Sequence, residues 1–245
     1  MDNVVGSADD ASLALAALRA CRLFRDLDDR SIALVTAALR PRRFRRGETV
    51  FHAGDPGDAL FIVAAGQVKI VLPSDEGSEP AILTTIGPGG FFGELAVLDG
   101  APRSATAVAL DAVATQVLRR DAFDALIDAQ PALRRALLAA LAGEIRRITT
   151  QVEDLHFLDL PGRLALRILR MVGDADGGPT DVRSITGEHR LPWPYTQSEL
   201  AGMIGGSRQS VNRLLADLVG QGLLEFQGNE LVIPDAGRLA SAAQR

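Results

Sequence analysis

Four residues in the middle of the chain have the chemistry to hold a sugar phosphate. Gly93 lets the main chain approach a ligand because it lacks a Cβ, and Glu94 opens a segment that favours a short helix with free amides for an anion. The Arg103 guanidinium can grip two phosphate oxygens, and the Ser104 hydroxyl can donate beside it. Because a carboxylate repels a phosphate, Glu94 is assigned to a ribose hydroxyl. The alternative is a surface turn with an Arg–Glu ion pair, and chemistry alone leaves both open.

The strands that must position these residues are short and are separated by glycine turns. Within residues 23–118, the clearest predicted strands lie at 49–51, 60–63, 68–71 and 81–83. Many short strands at this spacing predict a barrel or jelly roll. The glycine cluster at 87–90 is interpreted as a turn, because it lacks the Gly-Lys-Ser/Thr ending of a mononucleotide loop.

A long helix is predicted after the barrel, over residues 131–158. Six apolar residues recur along it at alternating spacings of three and four, which is a heptad seam: Leu138, Leu141, Ile145, Ile148, Val152 and Leu155. The seam favours a parallel helix pair formed by two copies of the chain. The alternative is that the stripe packs against the barrel of its own chain.

A second constellation near the end of the chain has the pattern of a helix-turn-helix. Thr196 and Glu199 form a capping box, Gly205 supplies a tight turn, and Ser207 can cap a second helix. A hairpin predicted at 223–233 makes the motif winged. The residues predicted to contact DNA are Thr196, Ser207, Arg208, Gln209, Ser210, Asn212 and Arg213. The alternative is an ordinary helical hairpin with exposed arginines.

Both constellations resemble motifs of the CRP/FNR family of bacterial transcription regulators. Phe-Gly-Glu-Leu followed by Arg-Ser-Ala, within residues 92–105, resembles the phosphate-binding cassette of their cyclic-nucleotide-binding domain. The spacing Gly-x-Ser-Arg-x-x-Val-x-Arg, at 205–213, resembles their recognition helix. The resemblance implies that Glu94 binds the ribose 2′-hydroxyl. It also implies a set of phosphate-binding residues, namely Gly93, Leu95, Ala96, Arg103 and Ser104.

The resemblance further implies a homodimer in which two adjacent hydroxyl residues of the central helix contact the adenine. Counted back from Asp159, these positions are Ile148 and Thr149. Thr149 can bind a base by hydrogen bonding, whereas Ile148 cannot. Ser104 favours cAMP, because threonine is commoner at this position in the cGMP-preferring sites of the fold. The expected allosteric ligand is therefore cAMP, with cGMP or another ligand left open.

Composition limits the function classes. The 245 residues include 26 basic and 31 acidic side chains and carry a net charge of −5, so a DNA-binding surface must be a local basic patch. A single cysteine, Cys21, cannot hold an iron–sulfur cluster, and no metal is expected. The sequence shows no membrane-spanning run and no basic start of a signal peptide, which predicts a cytoplasmic protein without a membrane partner.

These patterns predict an α+β protein in three parts. Residues 1–130 form a cyclic-nucleotide-binding jelly roll with N-terminal helices, 131–158 a dimerisation helix, and 159–245 a winged helix-turn-helix domain. The predicted function is a homodimeric transcription regulator, controlled by a cyclic nucleotide, that binds a palindromic operator in double-stranded DNA and contacts RNA polymerase.

Two alternatives remain open at this point. One is a regulator of the same architecture that needs no cyclic nucleotide or senses another ligand, and a haem sensor using a residue such as His52 is a variant of it. The other is an enzyme. Against an enzyme, His52, His156 and His189 have neither metal-ligand spacing nor a companion nucleophile.

Overall fold

The computed structural model describes residues 5–73, 80–175 and 182–243 of the chain. The chain divides into two compact units, the first over Met1–Pro73 and Ile82–Arg146 and the second including Arg147–Arg245. The division lies inside the helix predicted over residues 131–158, so this helix contributes to both units. The predicted three-part domain division stays a prediction.

Two four-stranded sheets form the β-structure of the first unit. One has the strand order β1-β8-β3-β6 and the other β2-β7-β4-β5, and the strand pairs described in full are antiparallel. Two antiparallel sheets of short strands are typical of a jelly roll, which confirms the predicted fold class. The strands are β1 (Arg40–Phe44), β2 (Thr49–Phe51), β3 (Ala59–Ala65), β4 (Val68–Leu72), β5 (Ala81–Ile86), β6 (Phe91–Phe92), β7 (Thr106–Ala109) and β8 (Val113–Arg119).

Strand β3 lies between two hydrophobic clusters. Leu60 and Ile62 belong to the cluster that the strand shares with the helices, while Phe61 and Val63 belong to the cluster among the strands. Successive side chains point to opposite faces of a strand, and both faces of β3 are covered. This burial explains why residues 60–63 are a continuous apolar run rather than an alternating one.

The sequence predicted four of the eight strands, β2 to β5. It missed β1, in which four of five residues are exposed and three are arginine. Such a composition is unlike that of a buried strand, and β1 forms because it pairs with β8. The short strands β6 and β7 also escaped prediction, because two and four residues carry little alternation, and the seven-residue β8 was not predicted either.

Helices cover the first sheet. Buried side chains from these helices, including Leu18 and Phe123, and Phe24 from the turn between α1 and α2 pack with those of β3. The longest helix enters this core through Leu133 and Leu137, which lie on one face because they are four residues apart. The helices are α1 (Val5–Ala20), α2 (Asp29–Ala38), α3 (Glu94–Asp99), α4 (Arg120–Ala129) and α5 (Pro131–Phe157).

The second unit is a small α/β domain with its own core. Its three-stranded sheet has the order β10-β11-β9, and its core includes Leu164, Leu200 and Leu231, all inaccessible to solvent. Between α6 and β9 the described residues include a 3₁₀ turn at Val182–Ser184. The elements are α6 (Leu160–Ala175), β9 (His189–Pro192), α7 (Gln197–Ile204), α8 (Arg208–Gly220), β10 (Glu225–Gln227), β11 (Glu230–Ile233) and α9 (Ala236–Ala242).

Candidate functional site

The start of α3 has the geometry of an anion site. Gly93 caps the helix with φ of 80° and ψ of 10°, a left-handed conformation that favours glycine. A Cβ at this position would lie 2.5 Å from Nη1 of Arg103. The first amides of an α-helix have no carbonyl partner within the helix, so the amides of Leu95 and Ala96 are available for a ligand, while the Glu94 amide donates to the carboxylate of its own side chain. Leu95 is partly exposed, whereas Ala96 is buried.

Arg103 is a buried cation whose hydrogen bonds are only partly satisfied. Only 6% of its surface is exposed to solvent. Nη1 donates to the Gly93 carbonyl at 2.7 Å and Nη2 to the Ala59 carbonyl at 2.9 Å. Its guanidinium carbon lies 4.2 Å from the centre of the Phe51 ring. Among the described residues Nε has no hydrogen-bond partner, which leaves one buried cationic donor for an anionic group.

Burial and the neighbouring carboxylates act in opposite directions on the charge of Arg103. Burial lowers the pKa of Arg103, while the carboxylates of Asp58 and Glu94 act in the opposite direction. Burial raises the pKa of the Glu94 carboxyl, and the nearby Glu144 adds to that increase, while Arg22 and Arg103 lower it. Glu94 is thus a partly dehydrated acceptor in the electrostatic neighbourhood of the arginine.

The loop that carries Arg103 is held by a second turn of the first unit. The Arg103 amide donates to the Asp55 carbonyl at 2.9 Å, and the Gly54 amide donates to the Arg103 carbonyl at 2.8 Å. At Gly57 a Cβ would lie 2.5 Å from the Cβ of Ala96 and 2.7 Å from Nε of Arg103. Ser104 follows on the exposed side of the loop.

The structure therefore brings together all predicted ligand residues of the first unit, on α3 and the loop after it. Thr149 belongs to the second unit, on the later part of α5. Sequence reasoning missed Ala59 and Gly57, which lie far from the motif along the chain. It also missed Arg120, which contacts the carbonyls of Gly57 and Ala96.

The apolar seam of α5 lies largely at the surface of the chain. Leu133, Leu137 and Ala140 are the buried face of this helix. Of the six seam residues, Leu141 packs partly against the first unit's core. The other five are between 48% and 67% exposed: Leu138, Ile145, Ile148, Val152 and Leu155. Leu138 and Ile145, the two exposed seam residues of the first unit, are not buried in the core of that unit.

The helix-turn-helix has the predicted local geometry. The Thr196 hydroxyl accepts from the Glu199 amide at 3.2 Å, and the Glu199 carboxylate accepts from the Thr196 amide at 2.8 Å, which completes the capping box. Gly205 ends α7 with φ of 68°. The Ser207 hydroxyl then accepts from the Ser210 amide at 3.1 Å and caps α8.

Helix α8 separates its apolar and polar residues. Val211, Leu215 and Leu218 are buried in the core of the second unit. Its polar residues lie outside, and Arg208, Gln209, Asn212 and Arg213 are exposed in its first half. The amide oxygen of Asn212 accepts from Nε2 of Gln197 at 3.0 Å, so this side chain links α8 to α7. The hairpin of β10 and β11 follows, as predicted.

The described residues hold no candidate metal cluster and no candidate membrane-spanning helix. They contain no group of three or more His, Cys, Asp or Glu side chains that could hold a metal ion. None of their helices combines the length and apolar character that a bilayer span requires.

Comparison with known protein families matches both units. The model described as cyclic nucleotide-binding domain matches residues 41–130, and the model described as Crp-like helix-turn-helix domain matches residues 162–242. The first match contains the whole cassette, and the second contains the capping box, the turn and α8.

Relatives match over nearly the whole chain. The CRP-like cAMP-activated global transcriptional regulator of Mycobacterium tuberculosis is 36% identical over 225 residues, covering 91% of this chain and 96% of the relative. The cyclic AMP receptor protein of Thermus thermophilus is 29% identical, covering 90% and 96%. The structure of FixK2 from Bradyrhizobium japonicum has a TM-score of 0.71 at 21% identity, covers 83% of this chain and 96% of its own, and supports the fold. The M. tuberculosis relative is named as a transcriptional regulator.

Proposed function

The chain belongs to the CRP/FNR family of bacterial transcription regulators, and on this premise we propose that it is a homodimer whose binding to operator DNA is controlled by cAMP. The observation that carries the proposal is Arg103, a buried cation at the start of α3 whose Nε has no hydrogen-bond partner among the described residues. Such a site suits an anionic group. The relatives from M. tuberculosis and T. thermophilus are named for cAMP, which favours that ligand over cGMP.

The cyclic phosphate binds between α3 and the Arg103 loop. The amides of Leu95 and Ala96 donate to phosphate oxygens, and Gly93 allows the close approach. Arg103 keeps its bonds to the two carbonyls, which fix its plane, and uses its remaining donors on the phosphate. Ser104 adds a hydroxyl donor from the exposed side of the loop.

Glu94 binds the ribose. A carboxylate accepts two or more hydrogen bonds and donates none when ionised, so it suits the 2′-hydroxyl and disfavours the phosphate. Its partly dehydrated surroundings make the bond stronger than it would be in water. A deoxyribose analogue therefore binds more weakly than cAMP.

The adenine contacts α5. Thr149 supplies a hydroxyl for the base, while Ile148, 48% exposed, offers only apolar contact at the adjacent position. The protein therefore offers the base fewer hydrogen bonds than the family pattern implies. This difference makes cGMP the ligand to compare with cAMP.

The exposed seam of α5 forms the dimer. Five apolar side chains at heptad spacing, on a helix of 27 residues, would stay in water in a monomer. Pairing with the same helix of a second copy removes them from water, and apolar burial stabilises the pair by roughly 25 cal/mol per Å². A two-fold dimer also presents two copies of α8, as a palindromic operator requires.

Helix α8 reads the operator. Arg208, Gln209 and Arg213 are exposed at its start and first turns and reach base edges in a major groove. Gln209 favours adenine, since an amide pairs with the N6 and N7 edge. Thr196, Ser207 and Ser210 lie at the two helix starts and contact the phosphate backbone, while Asn212 lies beside them on α8. Symmetric half-sites lie about 34 Å apart, one turn of the duplex.

Control by the ligand requires a difference in affinity between two states of the dimer. Only a ligand that binds the DNA-competent state more tightly shifts the equilibrium. A shift from about 1% to about 99% of that state requires a difference of roughly 5.5 kcal/mol. Contact with RNA polymerase is the step by which the bound dimer acts on transcription.

Calorimetry of the purified full chain tests the ligand step. Titration with cAMP gives a saturable heat at one site per chain, and cGMP binds more weakly. Absence of heat with both nucleotides at high micromolar concentration would contradict cyclic-nucleotide control. It would leave the second candidate, a regulator that binds DNA without a nucleotide, which the Ile148 departure favours.

A further inference from the structure

Arg120, the first residue of α4, ties together the two segments that form the cassette. Its Nη2 donates to the Gly57 carbonyl at 2.7 Å and to the Ala96 carbonyl at 2.5 Å. The Arg120 amide donates to the Asp58 carbonyl at 2.8 Å. A single residue thus connects the turn at 57–58, helix α3 and the start of α4.

The surroundings of Arg120 are unfavourable for a cation, and packing alone does not account for an arginine at this position. Its Nε is buried and has no hydrogen-bond partner among the described residues. It also lies close enough to Arg103 to lower the pKa of that guanidinium by charge repulsion. The carboxylate of the same turn, Asp58, pairs instead with Arg119 at 2.9 Å. A buried donor without a partner and two neighbouring cations both destabilise a fold.

Arg120 lies at the start of the helices that lead to α5, so its contacts link the cassette to these helices. Helix α4 spans Arg120–Ala129 and is followed after one residue by α5, which starts at Pro131. Helix α3, whose Ala96 carbonyl Arg120 binds, carries the free amides proposed for the phosphate. A displacement of α3 relative to the turn at Gly57 therefore acts directly on the first residue of the helices that lead to α5.

We propose that Arg120 is a positioning residue that sets the placement of α3 for the cyclic phosphate and couples occupancy of the cassette to α4 and α5. The proposal rests on the proposed function, since it assigns a role within the same ligand site. Arg120 acts through the carbonyls of Gly57 and Ala96 and does not itself contact the ligand. Removing its donors frees α3 from α4 while Gly93, Glu94 and Arg103 stay in place.

The test compares Arg120→Met with Arg119→Met in the full-length protein. Methionine keeps an unbranched side chain and removes the donors. Arg119 is a matched control, because it is the adjacent arginine and contacts the same turn through Asp58, but its side chain is 63% exposed and its ion pair lies at the surface. Calorimetry gives the cAMP affinity, and fluorescence anisotropy with labelled operator gives DNA affinity without and with saturating cAMP.

The expected result has two parts. Arg120→Met weakens cAMP binding by about tenfold or more, and even at saturating cAMP it reduces the ligand-induced gain in operator affinity by about fivefold or more. Arg119→Met changes each quantity by less than about twofold. Arg120→Lys, whose ammonium can still donate to a carbonyl, recovers part of both effects.

The gain in operator affinity separates coupling from a purely structural role. An Arg120→Met protein with normal cAMP affinity, or with weakened affinity but an undiminished gain at saturation, would overturn the proposal. If Arg120→Met does not fold, as judged by circular dichroism, Arg120→Lys and Arg120→Gln take its place with the same criteria. Failure of the proposed function is distinguishable, because the unsubstituted protein would then bind no cyclic nucleotide.

Discussion

The cassette in the first unit and the recognition helix in the second differ in how much of their chemistry is buried. In the cassette the central side chain, Arg103, is 6% exposed and is held by carbonyls 10 and 44 residues away in sequence. On α8 the polar residues, such as Arg208 and Arg213, are exposed, and only their helix is held by the core. The candidate cassette therefore depends on long-range main-chain geometry, whereas the exposed face of α8 depends on single side chains displayed by a rigid support.

The largest effect is expected from Arg103→Ala, which attacks the buried site. The substitution removes the phosphate contact and leaves the Gly93 and Ala59 carbonyls without their donor. Loss of a charge-assisted hydrogen bond costs about 1.5–3 kcal/mol, so cAMP affinity falls by roughly 10- to 150-fold. Calorimetry measures the loss, with Arg42→Ala, an exposed arginine of β1, as the control. An affinity within twofold of the unsubstituted protein would mean that Arg103 does not bind the ligand.

Arg208→Ala attacks the exposed surface and has the next largest effect. Loss of one side chain that contacts bases weakens operator binding by about 1–3 kcal/mol and relaxes the preference at one base position. Because Arg208 is exposed, the fold and the cAMP affinity stay unchanged. Anisotropy with operator variants measures both effects. A uniform loss on every DNA sequence would show that Arg208 contacts phosphate rather than a base.

Glu94→Gln separates stability from binding within the cassette. The pKa of Glu94 is raised in the folded state by burial, so the folded protein holds this proton more tightly than the unfolded chain. Stability from this group is highest below its unfolded pKa and falls as the pH rises through its folded pKa.

The neutral amide of Glu94→Gln removes this loss, so the variant gains stability relative to the unsubstituted protein at neutral pH and not in acid. Its cAMP affinity falls by about fivefold, because an amide oxygen is a weaker acceptor than a carboxylate. Thermal unfolding across pH and calorimetry measure the two effects. Lower stability of the variant at neutral pH would contradict the account of a dehydrated carboxylate.

Thr196→Ala is expected to have the smallest effect. Loss of the capping box destabilises α7 by about 1 kcal/mol. The single tryptophan of the chain, Trp193, lies in the second unit and reports its urea unfolding through fluorescence. Cyclic-nucleotide affinity stays the same, since the cassette lies in the first unit. Restoration of the midpoint by Thr196→Ser would confirm the cap, and an unchanged midpoint for Thr196→Ala would contradict it.

The same contrast explains what the sequence could predict. The capping box, the turn at Gly205 and the Ser207 cap involve residues within a few positions of each other, and each follows from local rules. The residues of α3 and its loop are also close in sequence. The exposed seam of α5 was predictable because heptad spacing depends on one helix alone.

Long-range contacts were not predictable from one sequence. The Ala59 carbonyl that accepts from Arg103 is 44 residues away, and the Gly57 carbonyl that accepts from Arg120 is 63 residues away. No local pattern marks a carbonyl as an acceptor. Strand β1 escaped for a related reason, because its arginine-rich sequence is a strand only through its pairing with β8.

Operator binding measured by fluorescence anisotropy, in the absence and presence of saturating cAMP, tests the central claim most directly. We expect cAMP to raise the affinity for a palindromic operator with half-sites about 34 Å apart, and Arg103→Ala to raise the cAMP concentration needed for this increase by roughly 10- to 150-fold. Equal operator affinity with and without cAMP, in a protein that binds the operator specifically, would contradict it.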